Sequence, residues 1–156
     1  MTQKLALPLS LLPNLLPTLS GVFVHSKPPL FRPTSRGPYL ALIDTGATHS
    51  WVSSEIGKTL EPHSLEGYIL PKDALAWEAE GVEVKFGFMK GLKGKPVRGF
   101  VQLDSRLPAM DMLLFSGDVE LQGADLVLGM DLLCSFIQCG LVVSGPIGPA
   151  TLVVES

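Results

Sequence analysis

The chain has few charged residues and few cysteines for its size. Charged side chains make up 17% of the 156 residues, against about a quarter in an average soluble protein. The net charge of -3 gives no general attraction to nucleic acid or anionic lipid. The two cysteines, Cys134 and Cys139, are too few for a disulfide scaffold and are not spaced as zinc ligands. These scarcities exclude disulfide-rich domains and zinc fingers.

Apolar residues, glycine and proline are abundant by contrast. The hydrophobic fraction is 46% and the mean hydropathy is +0.35, which is high for a monomer that must present a polar surface to water. We therefore expect a partner chain to cover part of the apolar surface. The 16 glycines and 13 prolines argue against a helical bundle and favour short strands joined by tight turns. A length of 156 residues suits one domain.

The first 20 residues form a leucine- and proline-rich segment with a single charged residue. A positive residue before an apolar run resembles a secretory signal, but Pro8, Pro13 and Pro17 would each break a helical core. The segment is also too kinked for a membrane-spanning helix, which needs about 20 residues. We expect residues 1–20 to be a flexible arm before a single domain at residues 21–156. This favours a cytoplasmic protein, with a secreted or periplasmic one as the alternative if the arm is a signal.

The hydrophobic pattern of the remaining chain predicts a small, mostly β domain with one short helix near its C-terminal end. Segments of strand length that are apolar or alternating lie at residues 21–25, 39–43, 82–86, 97–103, 125–129, 141–143 and 151–154. A turn at residues 91–95 would join two of these strands as a hairpin. The helix is expected over about residues 131–138.

One turn sequence has the composition of a catalytic site. Asp44, Thr45 and Gly46 follow directly on the apolar segment at residues 39–43. A carboxylate at the end of a buried strand is costly to desolvate unless it is shared or solvated by trapped water. Glycine allows a ligand to approach the backbone closely. The same three residues also occur as an ordinary turn in many proteins, so both interpretations stay open at this point.

A longer segment around this turn resembles the active-site signature of aspartic proteases of the retroviral type, the retropepsins. In that family apolar residues precede Asp-Thr-Gly-Ala, as residues 41–43 (Ala-Leu-Ile) precede residues 44–47 here. The family's second landmark, two apolar residues followed by glycine and a short helix, is matched by residues 126–133 (Leu-Val-Leu-Gly-Met-Asp-Leu-Leu). Gly129 lies 85 positions after Asp44, which leaves room for the family's hairpin flap.

This resemblance implies one half of a closed acid-protease β-barrel with one short C-terminal helix. It implies a peptide hydrolase that uses no metal and no cofactor, with a peptide or protein substrate, no nucleic acid and no stable membrane span. Two carboxylates that share one proton carry out catalysis in such enzymes. Because this chain has one Asp-Thr-Gly, a symmetric homodimer would have to bring two copies of Asp44 together. The alternative is a catalytically idle domain of the same fold that serves as a dimerisation or peptide-binding module.

The resemblance also assigns roles in the active-site loop. Asp44 would be the catalytic acid and base, and Thr45 would hydrogen-bond across the dimer axis. Gly46, Ala47 and Thr48 would contact substrate and line the cleft. Because Ala47 has no hydroxyl to donate to the catalytic carboxylate, we expect activity at mildly acidic rather than strongly acidic pH.

Two further parts of the site are assigned by position. Leu128, Gly129 and Asp131 would form the supporting second motif. The flap that closes over substrate would have its tip near residues 75–80, which places Ala76 and Trp77 over the bound peptide. Trp77 is equally well interpreted as a partly exposed packing residue.

The cysteines and histidines are assigned structural roles. Cys134, on the predicted helix, and Cys139, just beyond it, are expected to be reduced packing residues. His25, His49 and His63 form no metal-binding pattern with the cysteines and are expected at the surface or as capping residues.

Overall fold

Short strands dominate the described part of the chain. The computed structural model of the protein describes residues 4–11, 16–26, 35–62, 74–78, 81–84, 92–117, 123–136, 138–143 and 150–156, with only the backbone described at 35–36, 74–78, 81–84, 92–93 and 138. The strands in chain order are β1 (Lys4–Leu11), β2 (Pro17–His25), β3 (Ser35–Ile43), β4 (Trp51–Val52), β5 (Glu61–Pro62), β6 (Ala74–Glu78), β7 (Gly81–Val84), β8 (Leu92–Gln102), β9 (Met110–Ser116), β10 (Leu126–Leu128), β11 (Gln138–Val143) and β12 (Ala150–Glu155). Two short helices, α1 (Ser54–Gly57) and α2 (Met130–Leu133), lie among them.

Six of these strands close into a barrel. Strand β2 pairs with β3, β3 with β10, β10 with β4, β4 with β9 and β9 with β8, and β8 returns to β2. Inward-facing aliphatic side chains fill its interior, among them Val22, Val24, Val101, Leu114 and Leu126, all at most 1% exposed. The mostly β class and the closed barrel expected from the sequence are confirmed.

Strand β10 lies between the two strands that flank the loop at residues 44–50. It runs parallel to β3, with Leu128 beside Ile43, and antiparallel to β4, with Leu126 beside Val52. All three of its residues are buried, as expected for a short apolar strand covered on both faces. This position brings the end of β10, and helix α2 after it, to the loop that starts at Asp44.

A three-stranded antiparallel sheet joins the N-terminal and C-terminal strands. Strand β12 lies at its centre and pairs with β1 on one side and β11 on the other. Lys4–Leu11 therefore forms a strand rather than the expected flexible arm, and residues 17–20 open β2. The physical reason is a two-residue period: Leu7 and Leu9 are buried, whereas Pro8 between them is exposed. Proline breaks a helix but is compatible with an extended strand at such a position.

Several element boundaries differ from the sequence expectations. Residues 92–95 open β8 instead of forming a turn, and Gly94 lies so close to the Trp51 ring that a Cβ would come within 2.5 Å of it. Helix α2 ends at Leu133, earlier than expected. Helix α1 was not expected; Ser53 caps it by accepting a hydrogen bond from the backbone N of Ile56. The C-terminal hairpin of β11 and β12 agrees with the expectation.

The expected flap region contains a hairpin of β6 and β7. Trp77 pairs with Val82 and Glu78 with Gly81, so the two strands of this hairpin lie within and beside the region expected for the tip. Strand β7 continues the sheet to β8. The side chains of Ala76 and Trp77 lie outside the described part of the structure, so their proposed contact with substrate stays a prediction.

Candidate active site

Asp44 is the first residue after β3, and its position is set by backbone hydrogen bonds. Its N donates to the carbonyl O of Leu128 at 3.0 Å, and its own carbonyl O accepts from the N of Ala47 at 3.2 Å. The carboxylate Oδ1 accepts from the N of Gly46 at 2.8 Å. Asp44 is half-buried and Thr45 and Gly46 are exposed, so the carboxylate is oriented by the turn while remaining accessible from solvent.

Gly129 packs directly against the backbone of this loop. A Cβ at Gly129 would lie 2.7 Å from the carbonyl O of Ala47 and 2.8 Å from that of His49. Its φ of -99° is available to any residue, so space rather than conformation requires glycine here. Two parts of the chain that the sequence identified separately therefore meet through this contact.

A part-buried hydrogen-bond network connects the loop to helix α2. The Oγ of Ser50, which is 0% exposed, donates to Oδ1 of Asp131 at 2.8 Å and accepts from the N of Gly129 at 3.0 Å. The backbone N of Ser50 donates to Oδ2 of Asp131 at 3.0 Å. Oδ1 of Asp131 also accepts from the N of Leu132 at 2.8 Å, within the first turn of α2. The carboxylate thus accepts three hydrogen bonds.

The first turn of α2 also satisfies carbonyl groups of the loop. The N of Met130 donates to the O of Ala47 at 2.8 Å, and the N of Asp131 donates to the O of Thr48 at 3.2 Å. Ala47 is fully buried, whereas the Thr48 side chain is exposed and its Oγ1 lies 3.1 Å from Nδ1 of His49. The first turn of α2 therefore holds the loop backbone at Ala47 and Thr48. Asp44 stays half-buried, and Thr45, Gly46 and the Thr48 side chain are exposed.

The structure brings most of the predicted site residues together. The loop at residues 44–48 contacts the second motif through Leu128, Gly129 and the backbone of Asp131. The sequence interpretation missed Ser50, and the only available signal was a polar residue placed directly before the apolar pair of β4.

Asp125, directly before the motif, holds β10 in place and is a second residue that the sequence does not identify. The N of Leu40 donates to Oδ2 of Asp125 at 2.9 Å, and the N of Ser53 donates to its carbonyl O at 3.2 Å. These bonds join β10 to both flanking segments. Asp125 lies in the strand expected at residues 125–129, and no pattern in the sequence points to a role for its side chain.

The cysteines and histidines differ in part from the expectations. Both cysteines are free; Cys139 is half-buried, as expected for a packing residue, but Cys134 is exposed. Burial raises the pKa of the Cys139 thiol, and the neighbouring Cys134 raises it further. His25 is buried at 3% exposure rather than at the surface, with Nε2 3.2 Å from Oε1 of Gln102. His63 lies outside the described residues.

Two features of the described residues bear on other classes of function. Within the described ranges, no three histidine, cysteine, aspartate or glutamate side chains come together in a group that could hold a metal ion. In the same ranges, no helix has the length and apolar character needed to cross a membrane.

Comparison with known proteins supports the fold. No protein-family model and no curated protein matches the chain. Among solved structures, the chain is similar to a retropepsin-like aspartic protease from Rickettsia conorii, with a TM-score of 0.53 and 16% sequence identity over 100% of this chain and 96% of that one. At this identity the likeness concerns the fold, and the barrel described above is a retropepsin-like fold.

Proposed function

We propose that this chain is one subunit of a homodimeric aspartic endopeptidase. The observation that carries the proposal is the accessible Asp44 at the end of β3, oriented by the N of Gly46 and held against β10 through Leu128. A retropepsin-like fold around an Asp-Thr-Gly turn supports peptide hydrolysis as its chemistry. Twofold symmetry would supply the second carboxylate.

Two Asp44 carboxyl groups sharing one proton would divide the catalytic work. The ionised carboxylate takes a proton from water, and the oxygen of that water attacks the carbonyl carbon of the scissile bond. The protonated carboxyl gives its proton to the carbonyl oxygen, which forms a neutral tetrahedral diol. Collapse of the diol breaks the carbon–nitrogen bond: the protonated carboxyl gives its proton to the leaving amine, and one diol hydroxyl gives its proton to the ionised carboxylate as it becomes the new carbonyl. The pair then holds one proton again, so the cycle closes without a metal or a cofactor.

The exposed loop residues would bind substrate and the partner. Thr45 would hydrogen-bond across the axis, and Gly46, with no side chain, would allow the substrate backbone to approach its carbonyl. Thr48 would line the cleft beside Asp44. The rigidity that catalysis requires would come from Gly129 and the Ser50–Asp131 bonds beneath the loop.

Cleavage of a mixed peptide library between about pH 4 and 7 tests the proposal. Asp44→Asn keeps the size of the side chain but removes the acid and base, so we expect cleavage to disappear. Asp111→Asn is the matched control, because Asp111 lies exposed on β9 in a surface ion pair with Arg98, an interaction that is worth roughly 0–1 kcal/mol in stability. The control is expected to cleave at the wild-type rate.

The remaining outcomes separate the alternatives. Equal cleavage by the wild type and Asp44→Asn would show that Asp44 is not the catalyst and would refute the proposal. Absence of cleavage by a wild-type sample that sediments as a dimer would favour the idle dimerisation or peptide-binding module.

A further inference from the structure

His49 presents an accessible ring nitrogen in the loop that starts at Asp44. The side chain is half-buried. Its Nδ1 lies 3.1 Å from Oγ1 of Thr48, whereas Nε2 has no hydrogen-bond partner among the described residues. Among the side-chain nitrogen and oxygen atoms of these residues, only Nδ1 of His25 is both buried and unpartnered. Nε2 of His49 is therefore open to solvent.

Two contacts fix the orientation of the His49 ring. The rings of His49 and Phe115 meet edge-on, with centroids 5.3 Å apart and an interplanar angle of 80°. Phe115 lies on β9 and is 1% exposed, so packing in the protein interior holds it in place. The contact with Thr48 sets the direction of Nδ1, and Nε2, across the ring, points away from Thr48. The accessible nitrogen is thus positioned before a ligand arrives, which reduces the ordering cost of binding.

The charged groups around His49 leave its ring without an ion pair. In the same loop, Oδ1 of Asp44 accepts a hydrogen bond from the backbone, and in α2 the carboxylate of Asp131 accepts three. Phe115, the ring contact on β9, carries no charge. Within the described ranges, no carboxylate forms an ion pair with His49. A positive charge on this imidazole is therefore available to a ligand.

We infer that His49 is a specificity-determining residue that binds an acidic side chain of the substrate, an assignment that rests on the proposed function. A histidine gains its second ring proton within the mildly acidic range expected for activity. Both ring nitrogens then donate, Nδ1 to Oγ1 of Thr48 and Nε2 toward the ligand. Among peptide side chains, aspartate and glutamate offer acceptor oxygens of opposite charge, and a hydrogen bond between ionised groups is about twice as strong as a neutral one.

Twofold symmetry extends the inference to two positions of the substrate. The proposed dimer has one His49 in each subunit, so one imidazole lies on each side of the Asp44 pair. We therefore expect aspartate and glutamate to be enriched on both sides of the scissile bond. The cleavage sites recovered from the peptide library show this enrichment directly.

Peptide pairs that differ only in glutamate or glutamine test the inference. A substrate recovered from the library is resynthesised with either residue at each position around the scissile bond, and kcat/KM is measured at about pH 5.5, where glutamate is ionised. Glutamine keeps the size and an acceptor oxygen but lacks the charge. At the position that meets His49, we expect the wild type to prefer glutamate at least about fivefold.

Two variants with opposite expectations assign this preference to the imidazole. His49→Gln is neutral at every pH, so the ratio of the two kcat/KM values should fall to about one. His49→Lys is the matched variant that keeps a positive charge, so it should retain the preference for glutamate. Thermal unfolding by circular dichroism checks that each variant is folded.

Binding to Asp44→Asn gives a readout that does not need cleavage. NMR follows the imidazole signal of His49 during titration with two random octapeptide pools, one made without aspartate and glutamate and the other without asparagine and glutamine. We expect the pool that contains acidic residues to shift this signal and the other pool to leave it in place, because only a carboxylate pairs with the charged ring.

The outcomes separate this inference from the proposed function. Cleavage at equal rates for every glutamate and glutamine pair, or a glutamate preference that persists in His49→Gln, would overturn the inference and leave the protease intact. A response of His49 to the acidic pool without cleavage by the wild type would support the inference and refute the protease. Absence of both cleavage and a response at His49 would overturn the two together.

Discussion

The Ser50–Asp131 network should contribute measurably to the stability of the candidate site. Ser50→Ala removes a buried hydroxyl that donates to the Asp131 carboxylate and accepts from the N of Gly129. The buried N–H of Gly129 would then lack its partner, which costs about 1–3 kcal/mol, and a hydrogen bond to a charged group worth about 1.5–3 kcal/mol would be lost. Because the two costs overlap when the site relaxes, we expect the free energy of unfolding to fall by roughly 2–4 kcal/mol.

A double-mutant cycle in urea separates this coupling from nonspecific damage. Asp131→Asn replaces one acceptor oxygen by a donor, so it also disturbs the bonds from Ser50, and the two substitutions should couple by about 1 kcal/mol or more. Ser53→Ala is the control serine, because Ser53 bonds to Ile56 and Asp125 instead. Its effect should add to that of Asp131→Asn within about 0.5 kcal/mol. Additive effects of Ser50→Ala and Asp131→Asn, or a loss below about 0.5 kcal/mol for Ser50→Ala, would refute the reasoning.

Three further predictions follow from single contacts. Gly129→Ala should lower the free energy of unfolding by about 1–3 kcal/mol, because the added Cβ meets backbone that cannot move aside freely; urea unfolding measures this. Arg106→Gln should raise the pKa of Asp104, because the hydrogen bond from the Arg106 side chain contributes most to holding this pKa below its ordinary value of 3.8. NMR titration measures the change. The exposed Cys134 should react with iodoacetamide faster at neutral pH than Cys139, whose pKa is raised by burial; peptide mass spectrometry measures both rates.

Each of these predictions has a control or a defined contrary result. Gly140→Ala is the glycine control, because a Cβ there meets nothing within 4 Å; equal losses from the two variants would contradict the steric argument. Because the pKa of Asp104 is lower in the folded chain than in the unfolded chain, the ionised carboxyl stabilises the fold at pH values above 3.8. The difference in stability between wild type and Arg106→Gln should therefore disappear as the pH falls below 3.8. A difference that grows on acidification would contradict the assigned ion pair. Faster modification of Cys139 than of Cys134 would contradict its burial.

The N-terminal segment shows where local interpretation failed. Pro8, Pro13 and Pro17 would each break a helix and so predict a flexible arm, yet Lys4–Leu11 is a strand. The alternation of leucine at 5, 7 and 9 carried the strand signal. Its partner, β12, lies about as far away in sequence as the chain allows, and no local pattern identifies such a pairing.

The sequence by itself determined the mostly β class and the two landmarks around Asp44 and Gly129, because strand period, turn residues and short motifs are local properties. Only the tertiary structure decided that Ser50 joins the landmarks, since its bonds to Asp131 connect residues 81 positions apart. It also decided that Leu141 stays uncovered while Leu7 and Leu152, in the same row across β1, β12 and β11, are buried. Burial depends on what the rest of the chain places over a residue, and apolar residues with the same local pattern can therefore end in the core or at an open edge.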